Sequence, residues 1–209
     1  MKKEIIIIDY GMGNILSLKR ALEYIGASVV VTKDNDIISK SSHIILPGVG
    51  AFPKAMETIN KSGIGEAIRS SVKKGNFLLG ICLGMQLLLT DSEEFLFSKG
   101  LDLISGNVKI ISKNKNIKIP HVGWSNLKKL NYSIKFDKYL FKNINKKDSF
   151  YFTHSFMCFT KKNKCLYYTN YSNIKIPAVI NSENIFGFQF HPEKSGKAGL
   201  ILLENFKNI

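Results

Sequence analysis

Apolar residues fall in short blocks along the chain, separated by glycine-rich or polar stretches. Glu4–Asp9 holds four consecutive isoleucines, the pattern of a strand covered on both faces, as in a parallel sheet. Gly11–Gly13 then turns the chain and Asn14 is placed to cap a helix. Ile15, Leu18, Leu22 and Ile25 recur at helical spacing until Gly26 stops the pattern. Ser28–Thr32 and His43–Leu46 read as second and third strands, and Pro47-Gly48-Val49-Gly50 ends the third in a loop. Helical patterns are expected near Pro53–Ile59 and over Ile64–Lys73. Phe77–Ile81 is a further buried strand, running into the helix-prone stretch Met85–Leu89.

The second half is richer in strands and turns. Strands are expected near Asn107–Ile111, Ser149–Thr153, Cys165–Thr169, Ala178–Ile180 and Ile185–Gln189, with a last helix from about Lys197 to Phe206. No repeat, low-complexity tract or Pro/Ser linker interrupts this order. The pattern predicts one domain over 1–209: a three-layer, flavodoxin-like α/β fold with a mostly parallel central sheet and antiparallel additions at one edge.

Composition narrows the function. The hydrophobic fraction of 44% supports an ordinary globular core, and no apolar run approaches the length needed to cross a bilayer. The first apolar run is strand-length and ends in Asp9, unlike a secretory leader, so a cytoplasmic location is expected. A net charge of +14 raises the question of nucleic-acid binding. Arg20 and Arg69 are the only arginines and the lysines are scattered, whereas phosphate-fork and base-edge recognition favours arginine. The charge therefore argues for no nucleic-acid partner. Cys82, Cys158 and Cys165 make an odd count without a CxxC pair, which suits neither a disulfide framework nor zinc. Cys158 and Cys165 stand among apolar residues and read as core.

Cys82 differs. Gly80-Ile81-Cys82-Leu83-Gly84 places a cysteine between two glycines, after a strand and before a helix, as in the nucleophile elbow of hydrolases. The glycines allow the sharp turn, and the helix N-terminus favours an anionic sulfur. A cysteine nucleophile needs a base, and the base needs an orienting group. Phe190-His191-Pro192-Glu193 follows the strand at Ile185. Residues two apart in an extended segment point the same way, so Glu193 can hold the His191 ring. The pair has no further ligand at usable spacing for a metal. For the oxyanion of acyl transfer, one amide falls to Leu83 and the other to the loop at Val49 and Gly50, an ordinary Pro-Gly turn being the competing reading.

Gly-Ile-Cys-Leu-Gly-Met-Gln at 80–86 and Phe-His-Pro-Glu at 190–193 resemble the motifs of the class I, triad-type glutamine amidotransferases. Within these, the chain resembles the glutaminase subunits of imidazole glycerol phosphate synthase. The likeness rests on Asp9–Asn14, Pro47–Phe52, Pro120–Trp124, Tyr151–Ser155 and His191–Gly196. It implies that Cys82 attacks the carboxamide of glutamine, that His191 shuttles the proton and that Glu193 orients it, with no cofactor. It implies that Gln86, His154 and Ser155 contact substrate or line its site. It further implies that ammonia passes to a (βα)8-barrel cyclase subunit, with Asn14, Trp124 and Lys194 at the contact. Core burial is the competing reading for Trp124, and strand-end packing for His154 and Ser155. The chain departs from the usual pattern at Val122, Ser125, Thr153 and Phe156. These departures leave open a paralogous role, supplying ammonia to a sugar amidotransferase in surface-polysaccharide synthesis.

Overall fold

The computed structural model describes residues 4–112, 114, 116–130 and 136–209. Its first half alternates strands and helices: β1 (Glu4–Ile8), α1 (Ile15–Tyr24), β2 (Ser28–Thr32), α2 (Asn35–Lys40), β3 (His43–Leu46), α3 (Phe52–Ser62), α4 (Ile64–Lys73), β4 (Phe77–Ile81) and α5 (Leu83–Leu87). The remainder runs β5 (Leu89–Ser92), β6 (Ser98–Lys99), β7 (Ile104–Ile110), β8 (His121–Asn126), β9 (Lys128–Lys129), α6 (Asp137–Leu140), β10 (Ser149–His154), β11 (Phe156–Thr160), β12 (Cys165–Tyr171), β13 (Ile174–Ser182), β14 (Ile185–Phe188) and α7 (Gly196–Asn208).

The largest sheet has the order β2-β1-β3-β4-β14-β13-β12-β9. Its first five strands are parallel, and β13, β12 and β9 continue it antiparallel. The isoleucine run shows why this is a three-layer fold. Ile6 and Ile8 pack with α3 and α4 residues such as Phe52, Met56 and Ile68. Ile5 and Ile7 pack on the other face, with Leu18 and Leu22 of α1 and Leu202, Leu203 and Phe206 of α7. Alternate side chains of one strand thus bury two separate cores, which is why a continuous apolar run was needed there. The edge strand β2, covered on one side only by a neighbour, is half-buried throughout.

Two smaller sheets, β10-β8 and β11-β7-β5-β6, complete the structure. Sequence patterning missed most of their strands, together with the short helices α2 and α6. Two expectations need correction. Met85–Leu89 is not a single helix: α5 stops at Leu87 and Leu89 enters β5. The reason is tertiary, because the Leu87 carbonyl accepts from Leu101 N–H and the Leu88 carbonyl from both Leu103 and Ile104 N–H, which draws the chain into the β7 pairing. Asn14 does stand at the N-cap of α1, but its side chain makes no capping hydrogen bond.

Candidate active site

Sheet order brings the predicted chemistry together. β4 lies between β3 and β14, all three parallel, so the segments leaving their carboxyl ends converge. The loop 47–50 leaves β3, Cys82 leaves β4, and His191 lies just past β14. Cys82 is the N-cap of α5 with φ 55° and ψ −110°, a left-handed conformation that costs a non-glycine residue strain. Its N–H donates to the Phe188 carbonyl at 2.7 Å and its carbonyl accepts from Gln86 N–H, so the elbow is held from both sides. A Cβ at Gly84 would lie 1.8 Å from the Leu46 carbonyl oxygen, and one at Gly80 would lie 2.6 Å from that of Gly84. Both flanking glycines are therefore required by close backbone packing.

His191 is buried and its Nδ1 is 2.8 Å from Glu193 Oε1, as the spacing predicted. The Ser195 hydroxyl donates to the His191 carbonyl at 2.6 Å, and His191 N–H donates to the Tyr151 carbonyl at 2.9 Å, fixing the backbone beneath the ring. Burial pulls the His191 pKa down, but the adjacent Cys82 sulfur and the Glu193 carboxylate outweigh it and hold the imidazole at about 10. Glu193 Oε2 is buried without a hydrogen-bond partner among the described residues, and His191 Nε2, buried and without a strictly placed partner, has the Cys82 sulfur as its neighbour. A nitrogen beside a thiol, on a ring locked at its other end, is suited to exchange protons with a reacting group.

Cys82 and His191 open on a cavity of about 400 Å³. Val49, Gly50, Leu83, Gln86, His154 and Ser155, all expected at the site, line it. Gly50 has φ 105°, and a Cβ at Gly48 would lie 2.9 Å from both Gly84 N and the Leu83 Cβ. The loop is thus pressed onto the start of α5, where an oxyanion pocket needs it. The Tyr10 hydroxyl donates to the Pro47 carbonyl at 2.9 Å, and burial pushes that phenol's pKa well up, so it stays a donor.

Two residues of the site were not foreseen. Glu94 lines the same cavity, is 7% exposed, and accepts a 2.9 Å hydrogen bond from Phe52 N–H; burial raises its pKa and that bond opposes the rise. Gln189 is fully buried. Its Oε1 accepts from Gln86 Nε2 at 3.1 Å and its Nε2 donates to Cys82 Sγ at 3.8 Å. Position in the Gln-Phe-His-Pro-Glu run was the available signal for Gln189. Glu94, at the turn between β5 and β6, gave none. A larger cleft of about 1000 Å³ near β9 is lined, among the described residues, by lysines, asparagines, Tyr167 and apolar side chains, whereas Cys82 and His191 line the smaller cavity.

The three candidate contact residues divide. Trp124 is 56% exposed, which removes the core-burial reading. It packs edge-on against Tyr151 at 6.0 Å, and Lys194 Nζ stands 5.9 Å over the same ring, so β8, β10 and the segment after His191 share one surface patch. Asn14 lies apart from that patch in sequence and is half-buried at the start of α1.

Fold and site together define a cysteine amidohydrolase on a parallel α/β scaffold. The family model for glutamine amidotransferase class-I matches residues 6–208. "Imidazole glycerol phosphate synthase subunit HisH" from Caldanaerobacter subterraneus subsp. tengcongensis is 45% identical over 200 residues, covering 96% of this chain and 95% of that protein. The protein of the same name from Bacillus cereus is 43% identical over 206 residues, covering 98% and 94%. Among solved structures, that of PurLQS from Thermotoga maritima superposes with a TM-score of 0.73 at 20% identity, covering all of this chain and 99% of the other. The chain belongs to the class-I glutamine amidotransferases and, within them, to the HisH family.

Proposed function

We propose that this chain hydrolyses L-glutamine as the glutaminase subunit of an imidazole glycerol phosphate synthase. It would deliver ammonia to a (βα)8-barrel cyclase subunit in histidine biosynthesis. The observation that carries the reading is the convergence of Cys82 and His191 on one cavity, with the imidazole held 2.8 Å from the Glu193 carboxylate behind it. The Cys82 sulfur attacks the carboxamide carbon and forms a thioester. The C–N bond breaks as His191 delivers a proton from Nε2 to the departing ammonia. Neutral His191 then takes a proton from water, whose oxygen attacks the thioester carbon and releases glutamate and the thiol. The amides of Leu83 and of the Val49–Gly50 loop serve the oxyanion in both steps. Gln86, His154 and Ser155 form the wall around glutamine, and the Glu94 carboxylate is the group suited to its α-ammonium.

The relatives' shared name supports histidine biosynthesis over the polysaccharide reading, because both carry the synthase-subunit title at 43–45% identity over nearly full length. Trp124 and Lys194, with Asn14, are assigned to the cyclase contact. The test is complementation of a histidine auxotroph lacking this subunit, with the chain expressed beside its own cyclase. Growth is expected, and its absence with a folded, soluble protein sinks the pathway assignment. In the purified complex, Cys82→Ala should abolish glutamine-dependent synthesis while synthesis from free ammonia continues. Glutamine-dependent turnover surviving in that variant would remove Cys82 from the mechanism.

A further inference from the structure

Two histidines stand opposite one another on neighbouring strands, His121 on β8 and His154 on β10. Both are buried, and the triad chemistry uses neither. His121 Nδ1 is 3.1 Å from His154 Nε2, His121 Nε2 is 3.2 Å from Ser125 Oγ, and His154 Nδ1 is 2.7 Å from the Phe156 carbonyl. Burial lowers both pKa values, to about 4 for His121 and about 3 for His154, so each ring is neutral near pH 7 and has a single N–H.

The direction of every bond follows. A carbonyl only accepts, so the His154 proton sits on Nδ1 and its Nε2 is a lone pair. His121 must then donate from Nδ1, which leaves its own Nε2 as acceptor for the Ser125 hydroxyl. The Phe156 carbonyl also accepts from Gln86 Nε2 at 3.1 Å, which occupies both of its lone pairs. Gln86 continues to Gln189, and Gln189 to the Cys82 sulfur. One hydrogen-bonded chain therefore links Ser125 to the nucleophile: donors from the Ser125 side and from Gln86 meet at the Phe156 carbonyl, and from Gln86 the chain runs on through Gln189 to Cys82. Its outer end lies on the strand whose other face exposes Val122 and Trp124.

We infer that Ser125 and His121 are positioning residues for glutamine: they anchor the His154 ring, His121 donating to its Nε2, and, through the shared Phe156 carbonyl, fix Gln86 at the wall of the pocket. The consequence is that a partner seated on β8 can alter the pocket by disturbing one hydrogen bond at Ser125. This rests on the glutaminase reading above.

The test uses the full chain labelled with ¹⁵N-histidine and a glutamine-mimicking diazoketone that alkylates Cys82. Long-range ¹H–¹⁵N correlation should find the proton of both His121 and His154 on Nδ1. In His121→Phe, which keeps a ring against Phe152 and Tyr171, the Phe156 carbonyl keeps the His154 proton on Nδ1 but the Nε2 lone pair loses its donor, so the His154 Nε2 resonance should shift. The half-saturating concentration of the diazoketone should rise roughly five- to tenfold, with the maximal alkylation rate kept within about twofold, as for loss of a typical hydrogen bond in binding. His121→Asn, whose amide N–H replaces Nδ1–H, should restore both readouts, and Ser125→Ala should shift the His121 Nε2 resonance, which loses its donor. A wild-type His154 protonated on Nε2 overturns the inference. So does an equal loss of saturation and rate in His121→Phe and His121→Asn, which is the mark of packing alone. Alkylation failing in the wild type strikes at the glutaminase reading, whereas the tautomers are read without any substrate and decide the relay by themselves.

Discussion

At the scale of single residues, the proton on His191 is governed by opposed effects: burial disfavours the charged ring, while the Cys82 sulfur and Glu193 favour it. The folded pKa of about 10 lies above the ordinary value of 6.5. The stabilisation from the charged ring is therefore complete below the unfolded pKa and is lost as pH climbs toward the folded one. In the proposed mechanism ammonia departure takes this proton, so glutamine hydrolysis by the complex should fall on the alkaline side. Glu193→Gln keeps a hydrogen-bond acceptor and removes a negative charge, and it should move that alkaline limb to lower pH. Rates measured across the alkaline range decide it, and an unmoved limb would show that Glu193 does not hold the His191 proton. The triad was legible from sequence because each member lies in a short motif whose local geometry is set by glycine or proline. Glu94 and Gln189 were not, since what distinguishes them is the company they keep in three dimensions.

At the scale of elements, the elbow depends on how closely α5 approaches the end of β3. A Cβ on Gly84 would overlap the Leu46 carbonyl, which is backbone and cannot swing aside. Gly84→Ala should therefore destabilise the protein by about 3 kcal/mol and slow alkylation of Cys82. Gly26→Ala is the informative contrast. Gly26 has φ 74° and nothing within 4 Å of a new Cβ, so only backbone strain of about 1 kcal/mol is expected there, with Cys82 reactivity intact. Urea denaturation of the two variants separates the cases, and equal losses would show that Gly84 matters only as a flexible residue. The first-half elements were readable because their strands are continuous apolar runs. β8 was not: its sequence His-Val-Gly-Trp-Ser-Asn alternates between buried and exposed faces with histidine and glycine inside. β5 was hidden by the leucines that suggested a longer helix.

At the scale of the whole molecule, three histidines shape stability against pH. His121 and His154 are buried neutral, so the unfolded chain binds protons below pH 6.5 that the folded one refuses down to about 4 and about 3. Folding stability should fall by several kcal/mol, on the order of 5, between neutrality and about pH 4, since one pKa unit corresponds to about 1.4 kcal/mol. The growing charge of a chain already at +14 acts in the same direction. With the alkaline loss from His191, maximal stability is expected near neutrality. Urea midpoints measured from acid to alkaline pH check this, and a midpoint unchanged on acidification would show that the two rings are not buried neutral.

The amino-acid sequence by itself determined the parallel core, the elbow at Cys82 and the partnership of His191 with Glu193. Each of these follows from local rules: strand periodicity, backbone freedom at glycine, and the reach of two side chains two residues apart. Only the tertiary structure decided which strands neighbour one another, and hence that the segments after β3, β4 and β14 meet at one cavity. It also brought Glu94 to that cavity and joined Ser125, His121 and His154 into one hydrogen-bonded line. Those arrangements depend on sheet order and on burial, which create directed contacts between residues far apart along the chain and leave no pattern in any short stretch of it.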